Sequence, residues 1–320
     1  MKEYVIGIDI GGTFTKYGFT DLEGNIYAEG SSPTDIYDNV EDYLANLVKD
    51  LKAGEKSLEE PYKIIGVGIG APNGNFYRGT IEDAPNLKWK GIIPLADMIN
   101  KYYDVPVRLT NDANAAALGE KVYGGAQGMD NFIMITLGTG LGSGIIVNGD
   151  LLYGHDGFAG EIGHTNVVKN GRKCGCGNQG CLETYVSAPG IKRTVFELLA
   201  DNSAGSDLVN YSFDELDSEM IYNAAVKNDP VALNAFEVTG EILGRKLADS
   251  VCHTNPQAIF LFGGLAKSGD YIMKPTKKAL EENVMSIFKN KVQIKPSQLM
   301  GKNAAVLGSS SLIWKDKNVE

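Results

Sequence analysis

The sequence lacks the features of a secreted, membrane-spanning or nucleic-acid-binding protein. Its first apolar run, residues 4–10, is short and interrupted by Gly7 and Asp9, so we expect neither a signal peptide nor a membrane span. Lys and Arg form no cluster with interleaved aromatic residues, and the formal net charge of −10 repels nucleic acid and anionic membranes. We therefore expect a cytoplasmic protein with small-molecule partners.

Common nucleotide-binding signatures are missing as well. No Gly-x-x-x-x-Gly-Lys-Ser/Thr segment occurs, and the protein-kinase signature residues are absent. The Gly-rich segment 137–144 leads into another strand-like run, whereas a dinucleotide-binding fingerprint opens a helix. Any phosphate must therefore be held by loops of another kind.

What the chain does contain suits two packed lobes. Its 320 residues are too many for one ordinary core, and 43% hydrophobic with 22% charged residues is typical of a globular protein. Strand-like runs at 4–10, 15–20 and 25–32 predict a meander, and the pattern begins again at 132–137 and 143–148. We therefore predict an α/β protein with two lobes and a central cleft.

The other periodic segments fill these lobes. The sequence predicts helices at 38–52, 94–103, 113–123, 187–253 with a polar loop at 201–212, from 271, and at 303–314, and strands at 63–70, 105–110, 258–262 and near 292. We expect a small lobe from residues 1–112 plus 303–320. Residues 113–302 would form a large lobe.

A first Gly-rich turn follows the first strand, in Asp9-Ile10-Gly11-Gly12-Thr13. Glycines let backbone N–H groups approach phosphate oxygens, and Asp9 at the strand end can hold a hydrated Mg²⁺. An ordinary hairpin turn with an Asp cap explains the same residues. Lys16 is either a phosphate contact or an exposed strand residue.

A second Gly-rich turn, Gly138-Thr139-Gly140-Leu141-Gly142, opens the second half in the same way. Two such turns facing each other across a cleft would hold the phosphates of a nucleotide. Further along, the strand 258–262 meets Gly263-Gly264. That pair can lie flat against an adenine or ribose, or serve as a strand-to-helix turn.

Asn111 and Asp112 lie between the two turns, where a strand ends and a helix begins. A carboxylate there can accept the proton of a sugar hydroxyl while that oxygen attacks phosphorus. Asn111 can orient the same sugar. Both residue types are equally favoured at the N-cap of a helix, so a plain cap remains an alternative.

Three of the four cysteines and one of the three histidines crowd into residues 164–181. His164, Cys174, Cys176 and Cys181 complete a tetrahedral shell with no open position, which predicts a structural zinc site in the loop 164–183. One disulfide with an odd thiol is the alternative. Because the phosphate turns lie elsewhere in the sequence, we expect loss of zinc to disturb sugar recognition and to spare nucleotide binding.

Together these motifs resemble the ROK family, named for repressors, open reading frames and kinases, and especially its bacterial glucokinases. The resemblance covers nearly the whole chain. It rests on Asp9-x-Gly-Gly-Thr13, Pro85-Asn86-Leu87-x-Trp89, Asn111-Asp112-Ala-Asn, Gly138-Thr-Gly-x-Gly142, Gly160-Glu-x-Gly-His164 and Cys174-x-Cys-Gly-x-x-Gly-Cys181-Leu-Glu183, in the family's order. The family's usual Gly-x-Pro-Gly turn appears here as Gly70-Ala71-Pro72-Asn73.

The resemblance implies the actin-like ATPase (ribonuclease H-like) fold, with ATP, Mg²⁺ and structural Zn²⁺ as cofactors, and a homodimer. It implies that Asp112 is the catalytic base and that His164 binds zinc through one nitrogen and sugar through the other. The residues implied to hydrogen-bond the sugar are Asn111, Glu161, His164 and Glu183. Those implied to contact the nucleotide are Asp9, Gly11, Gly12, Thr13, Gly138, Thr139, Gly263 and Gly264.

Four functions then compete. The first is a hexose 6-kinase, with glucose the leading substrate because segment 85–89 looks like the glucokinase branch, and an N-acetylglucosamine or N-acetylmannosamine kinase is its rival. ROK repressors carry a helix-turn-helix module before the sugar-binding part, whereas here the first strand begins at Tyr4 and the acidic charge opposes DNA binding. A non-catalytic sugar sensor would be expected to lose the base, and Asp112 is present.

Overall fold

The computed structural model describes residues 1–315 and shows a mixed α/β protein. The elements of its first half are β1 (Lys2–Ile10), β2 (Phe14–Thr20), β3 (Ile26–Pro33), α1 (Val40–Glu55), β4 (Tyr62–Gly70), β5 (Gly74–Asn75), β6 (Thr80–Glu82), β7 (Ile92–Ile93), α2 (Leu95–Asn100), β8 (Val107–Thr110) and α3 (Asp112–Tyr123). Those of its second half are β9 (Phe132–Leu137), β10 (Leu141–Val147), β11 (Asp150–Leu151), α4 (Ala188–Asp201), α5 (Ser218–Val226), α6 (Pro230–Thr254), β12 (Ala258–Phe262), α7 (Asp270–Asn283), β13 (Gln293–Pro296) and α8 (Ala304–Trp314). Over the described residues, no helix is both long and apolar enough to cross a bilayer.

The chain divides into two compact units whose limits differ from the expected lobes. The first unit contains Met1–Met129, Asp150–Gly160 and the described residues from 298 onward, and the second contains Asp130–Gly149 and Glu161–Ser297. Helix α3, expected to open the large lobe, belongs to the first unit because it packs closely on α8. Residues 316–320 of the expected small lobe lie outside the described part of the chain.

The first unit is built on a five-stranded sheet in the order β3-β2-β1-β4-β8. Strands β1, β2 and β3 form the expected antiparallel meander, while β4 and β8 run parallel to β1. In this register Asp9 pairs with Gly70, and Gly70 pairs with Thr110. The carboxyl ends of three parallel strands therefore meet at one sheet edge, immediately before the turns that carry the candidate residues.

Helix α8 lies against one face of this sheet so closely that its backbone contacts the backbone of the strands. A Cβ atom added at Gly68 of β4 would come within 1.9 Å of the Ser309 carbonyl oxygen, and one at Gly7 of β1 within 2.3 Å of the Val306 carbonyl oxygen. Both distances are far inside van der Waals contact, so only glycine fits at these two positions. The other face of the sheet carries α1, whose buried side chains contribute to the main apolar core of the unit.

The second unit repeats the plan with a sheet in which β10, β9, β12 and β13 are neighbours in that order. Strands β9 and β10 are antiparallel, and β12 is parallel to both β9 and β13. The 25-residue α6 packs along α7, and its buried side chains join those of the sheet in the apolar core of the unit. The second unit thus has its own core, as the doubled strand pattern in the sequence predicts.

The segment expected as one interrupted helical stretch from 187 to 253 is three helices, α4, α5 and α6. Each begins at a side-chain cap. Ser187 accepts from the Gly190 N–H, Asp217 from the Met220 N–H, and Asp229 from the Val231 and Ala232 N–H groups. Such caps satisfy N–H groups that have no partner within the helix and so fix where it starts.

Candidate functional site

The first glycine turn, between β1 and β2, is held by backbone contacts on both sides. The Gly11 N–H donates to the Phe14 carbonyl (3.0 Å), and the Thr13 carbonyl accepts from the Thr34 N–H (2.8 Å). A Cβ atom at Gly12 would lie 2.9 Å from the Asn86 carbonyl oxygen. The turn therefore needs a residue without a side chain where it meets the Asn86 segment.

Asp9 lies at the end of β1 in an environment that resists its ionisation. Burial, and next the negative charge of Asp112, raise the pKa of its carboxyl to about 7, while Lys16 acts in the opposite direction. Lys16 is exposed and directly opposite Asp9 across the β1–β2 pair. A carboxylate that is hard to ionise alone is well placed to be stabilised by a cation.

Asn111 is the N-cap of α3, as the cap hypothesis predicts. Its Oδ1 accepts from the Asn114 N–H at 2.7 Å, which leaves the Nδ2 amide to donate elsewhere. The next residue, Asp112, accepts from the Ala113 N–H at 2.8 Å through Oδ1. Asp112 is exposed by surface area, yet crowding by protein atoms desolvates its carboxyl and raises its pKa. A raised pKa suits a group that must take up a proton.

Asn73 occupies the position where the family resemblance predicts glycine. Its φ is +50°, in the left-handed region that asparagine tolerates better than most residues. Its Nδ2 donates to the Glu82 carbonyl at 3.0 Å, which anchors the loop after β4. The departure from the family pattern therefore keeps the backbone conformation that glycine would supply.

The second glycine turn, between β9 and β10, is held partly by a distant side chain. Within it the Gly138 N–H donates to the Gly140 carbonyl at 3.0 Å. The Leu141 N–H donates to Oε2 of Glu183 at 3.1 Å, and the Gly138 carbonyl accepts from the Ala188 N–H at 2.9 Å. Nothing in the sequence indicated this link to Glu183. The expectation that both glycine turns lie apart from the metal-binding loop is wrong for this one.

Gly263 and Gly264 lie beside the second turn. A Cβ at Gly263, where φ is +103°, would be 2.4 Å from the Leu137 carbonyl oxygen, so the first glycine is required by packing. A Cβ at Gly264 would meet nothing within 4 Å. The structure thus brings both Gly-rich segments of the second unit together, with open space at Gly264.

The predicted metal ligands do converge. The ligand atoms of His164, Cys174, Cys176 and Cys181 all lie within 4.8 Å of one another. Cys174 Sγ is 3.6 Å from His164 Nδ1, and the sulfurs of Cys176 and Cys181 are 3.7 Å apart. Four ligands around zinc, with a Zn–S bond of about 2.3 Å, would place their sulfurs about 3.8 Å apart. The group therefore fits a tetrahedral ion, and a separation of 3.7 Å is too long for a disulfide.

His164 presents its two ring nitrogens to different neighbours. Nδ1 faces the thiols, while Nε2 is 3.9 Å from Oε2 of Glu161, longer than a hydrogen bond. Both side chains reach the surface, with 36% of His164 and 50% of Glu161 exposed. One nitrogen is thus placed for metal, and the other lies beside a carboxylate.

Two basic residues near the second turn were not singled out from the sequence. Lys173 and Arg193 line a cavity of about 130 Å³ together with Thr139, Cys174 and Glu183. Arg193 lies on α4, whose N-terminus also borders the cavity. Lone basic residues carry no motif, so only the fold could place them beside the turn.

The candidate residues thus form two groups, each within one unit. Those in the first unit are Asp9, Gly11, Gly12, Thr13, Asn111 and Asp112. Those in the second unit are Gly138, Thr139, Glu161, His164, Cys174, Cys176, Cys181, Glu183, Gly263 and Gly264.

Known proteins resemble this chain over nearly its whole length. The model of the family described as "ROK family" matches residues 5–316. A glucokinase of Halalkalibacterium halodurans is 34% identical over 98% of this chain and 96% of the relative. A xylose repressor of Bacillus subtilis is also 34% identical, over 97% of this chain and 77% of the repressor. The crystal structure of a ROK family glucokinase from Streptomyces griseus in complex with glucose and AMPPNP is 33% identical, with a TM-score of 0.80, covering 97% of this chain and 98% of that one.

Proposed function

The chain belongs to the ROK family and has the actin-like ATPase fold, and from that premise we propose that it is an ATP-dependent sugar kinase. The reaction proposed is transfer of the γ-phosphoryl group to the 6-hydroxyl of a hexose, with glucose the first candidate. The observation that carries the proposal is the proximity of Asp9 and Asp112 at one edge of the sheet, where the negative charge of Asp112 raises the pKa of Asp9. The choice of sugar is supported by two glucokinases, each of which matches this chain over almost the whole length of both proteins.

Asp112 is the proposed base. Its carboxylate takes the proton of the 6-hydroxyl as that oxygen forms a bond to the γ-phosphorus, and the bond from phosphorus to the bridging oxygen breaks to release ADP. Its fixed position comes from the Ala113 N–H bond and from the start of α3. Positioning and charge stabilisation account for most catalysis of phosphoryl transfer, so a rigid helix terminus is a suitable support.

Asp9 is proposed to hold the hydrated Mg²⁺ that accompanies ATP. Its carboxyl ionises with difficulty in the unliganded protein, and a divalent cation would favour the ionised form. The backbone N–H groups of Gly12 and Thr13 are proposed to face the phosphates. Lys16, opposite Asp9, adds positive charge at the same edge.

Sugar recognition is proposed to use the side chains of Asn111, Glu161, His164 and Glu183. Asn111 has Nδ2 available to donate once Oδ1 has capped α3. Glu161 and His164 Nε2 lie side by side and are proposed to bind neighbouring hydroxyls, while Glu183 offers lone pairs beyond those used by Leu141.

The Cys/His cluster is proposed to be a structural zinc site. His164 through Nδ1 and the three cysteines supply four ligands, so no position is left for a reacting water. An ion there would fix the orientation of the His164 ring and the loop that carries Glu183.

A sugar-binding regulator is the second candidate, because the xylose repressor is as similar to the chain as the glucokinase. A panel of glucose, mannose, fructose, N-acetylglucosamine and N-acetylmannosamine, with ATP, Mg²⁺ and coupled ADP detection, separates the possibilities. We expect the highest kcat/KM with glucose. ADP formation only with an N-acetylhexosamine would replace glucose as the substrate. Sugar binding by calorimetry without ADP formation from any member would refute the kinase and favour the regulator.

A further inference from the structure

Glu183 lies between the metal-binding loop and the second glycine turn and contacts both. We propose that it is a positioning residue through which the metal-loaded loop orders the turn that binds nucleotide phosphate. The inference rests on the proposed function only in taking that turn as the phosphate contact. It assigns Glu183 a task in nucleotide binding that needs no sugar.

The contact with the turn is a charge-assisted hydrogen bond. Oε2 of Glu183 accepts from the Leu141 N–H at 3.1 Å. A Cβ atom at Gly140 would lie only 2.3 Å from the same oxygen, so the carboxylate occupies the space that a side chain there would fill. Position 140 must therefore be glycine because of a side chain 43 positions further along the chain, which the tertiary fold brings next to it.

The contact with the loop involves the other carboxylate oxygen. Oε1 of Glu183 lies 3.6 Å from Sγ of Cys174, and Glu183 itself is in the short turn that directly follows Cys181. A thiol can donate weakly to this oxygen. A metal-bound thiolate cannot, so in metal-loaded protein the backbone of the loop would hold the carboxylate in place, because an ion among the four ligands would fix the loop directly before Glu183.

A further backbone bond joins the turn to the segment that follows Glu183. Apart from its internal Gly138–Gly140 bond, the Gly138 carbonyl accepts from Ala188, which follows Glu183 closely in the chain. A Cβ at Gly138 would meet nothing within 4 Å, so this part of the turn is not packed against other atoms. The cavity bordered by Thr139, Cys174 and Glu183 also contains Lys173 and Arg193, whose charges suit an anion. The loop, the carboxylate and the turn thus border one space.

The test measures binding of AMPPNP with Mg²⁺ by calorimetry, without sugar, to zinc-loaded and zinc-stripped protein. In zinc-loaded protein, Glu183→Ala should weaken AMPPNP binding about tenfold or more, because the Leu141 N–H loses a charged acceptor. Glu183→Gln keeps an acceptor oxygen and should stay within about threefold of wild type. Glu282→Gln removes an exposed carboxylate from α7 and is the matched control, with unchanged binding.

Zinc removal completes the test as a double-mutant cycle. It should weaken AMPPNP binding to the wild-type protein and have little further effect on Glu183→Ala, because the coupling passes through that side chain. Circular dichroism and elemental analysis establish fold and zinc content. If Glu183→Ala does not fold, Glu183→Asp replaces it, since the shorter side chain cannot span both contacts. If stripping unfolds the protein, the zinc-loaded variants decide alone.

Wild-type affinity in folded Glu183→Ala, or equal zinc dependence with and without Glu183, would overturn the inference. So would a wild-type protein that binds no nucleotide. Failure of the sugar panel would refute the proposed kinase and leave this binding comparison intact.

Discussion

Both glycine turns join two antiparallel strands, β1 to β2 in the first unit and β9 to β10 in the second, but they are supported differently. The first has its carboxylate, Asp9, on the strand itself, and packs on the backbone of Asn86. The second takes a carboxylate from Glu183, in a loop that also carries the candidate metal ligands. The same element thus has a titratable carboxylate on its own strand in one unit, and in the other it is held by a side chain from the loop of candidate metal ligands.

The largest effect should come from the proposed base in the first unit. Asp112→Asn keeps an acceptor for the Ala113 N–H but cannot take up a proton, so kcat should fall roughly 10²- to 10⁴-fold while sugar binding is kept. Steady-state kinetics and sugar calorimetry measure the two quantities. Asp97→Asn, an exposed change on α2, serves as the control. Turnover within a few-fold of wild type would show that Asp112 is not the base.

The second effect tests the metal dependence of the second unit. Cys176→Ser removes one ligand, and kcat/KM for sugar should drop about 10- to 100-fold because His164 and the loop bearing Glu183 lose their fixed orientation. Cys252→Ser changes an exposed cysteine outside the cluster and should have no effect. Circular dichroism must show a folded variant before kinetics are compared. An unchanged sugar KM and kcat in folded, zinc-free protein would contradict the assignment.

The third prediction concerns pH and belongs to the first turn. The pKa of Asp9, raised to about 7, leaves much of the carboxyl protonated in mild acid, so kcat/KM for MgATP should rise with pH between about 6 and 8. The pH profiles of kcat/KM for the wild type and for Lys16→Met should differ in one direction. Loss of the Lys16 charge should move the rise to higher pH.

The free energy of unfolding of the protein without Mg²⁺ should show the opposite trend with pH. A carboxyl whose folded-state pKa lies above its ordinary value binds more protons in the folded state, so the free energy of unfolding falls as pH rises from about 4 to 7. Asp9→Asn should remove this contribution, whereas Asp97→Asn should retain it. Identical pH profiles of urea stability for wild type and Asp9→Asn would rule out the titration of Asp9.

The smallest effect concerns the loop after β4, which lies outside either turn. Asn73→Ala should lower the free energy of unfolding by about 1–2 kcal/mol, because alanine is strained at positive φ and cannot donate to the Glu82 carbonyl. Asn73→Gly should restore most of it, since glycine adopts this φ freely. Urea denaturation at fixed pH compares the two. Equal loss in both variants would show that the side-chain bond alone matters.

The sequence predicted features that depend on local spacing. Alternating strands, helix starts and the compact Cys/His window each leave a pattern within about twenty residues, and the positions of β1, α3 and the four ligand residues follow from it. The short β5, β6 and β7 were missed because strands of two or three residues carry no periodicity. They pair with one another in a sheet of the order β5-β6-β7.

Features set by distant contacts could not be predicted in this way. The limits of the units depend on α3 packing against α8, which follows it by some 180 positions. The bond from Leu141 to Glu183 spans 42 positions, and nothing in either segment indicates its partner. Composition identified the residue types, and only the tertiary fold showed which of them meet.

The place of α8 in the first unit bears on how the chain is made. The ribosome adds this helix after all of residues 130–297, yet β1 and β4 have glycines shaped to receive it. During synthesis the second unit can therefore complete its sheet while the first still has an uncovered face. Domains often fold in the order in which they are translated. Here the unit whose first residues are translated earliest is also the last to be complete. Until α8 emerges, Gly7 and Gly68 lie on a face of the sheet that lacks its covering helix.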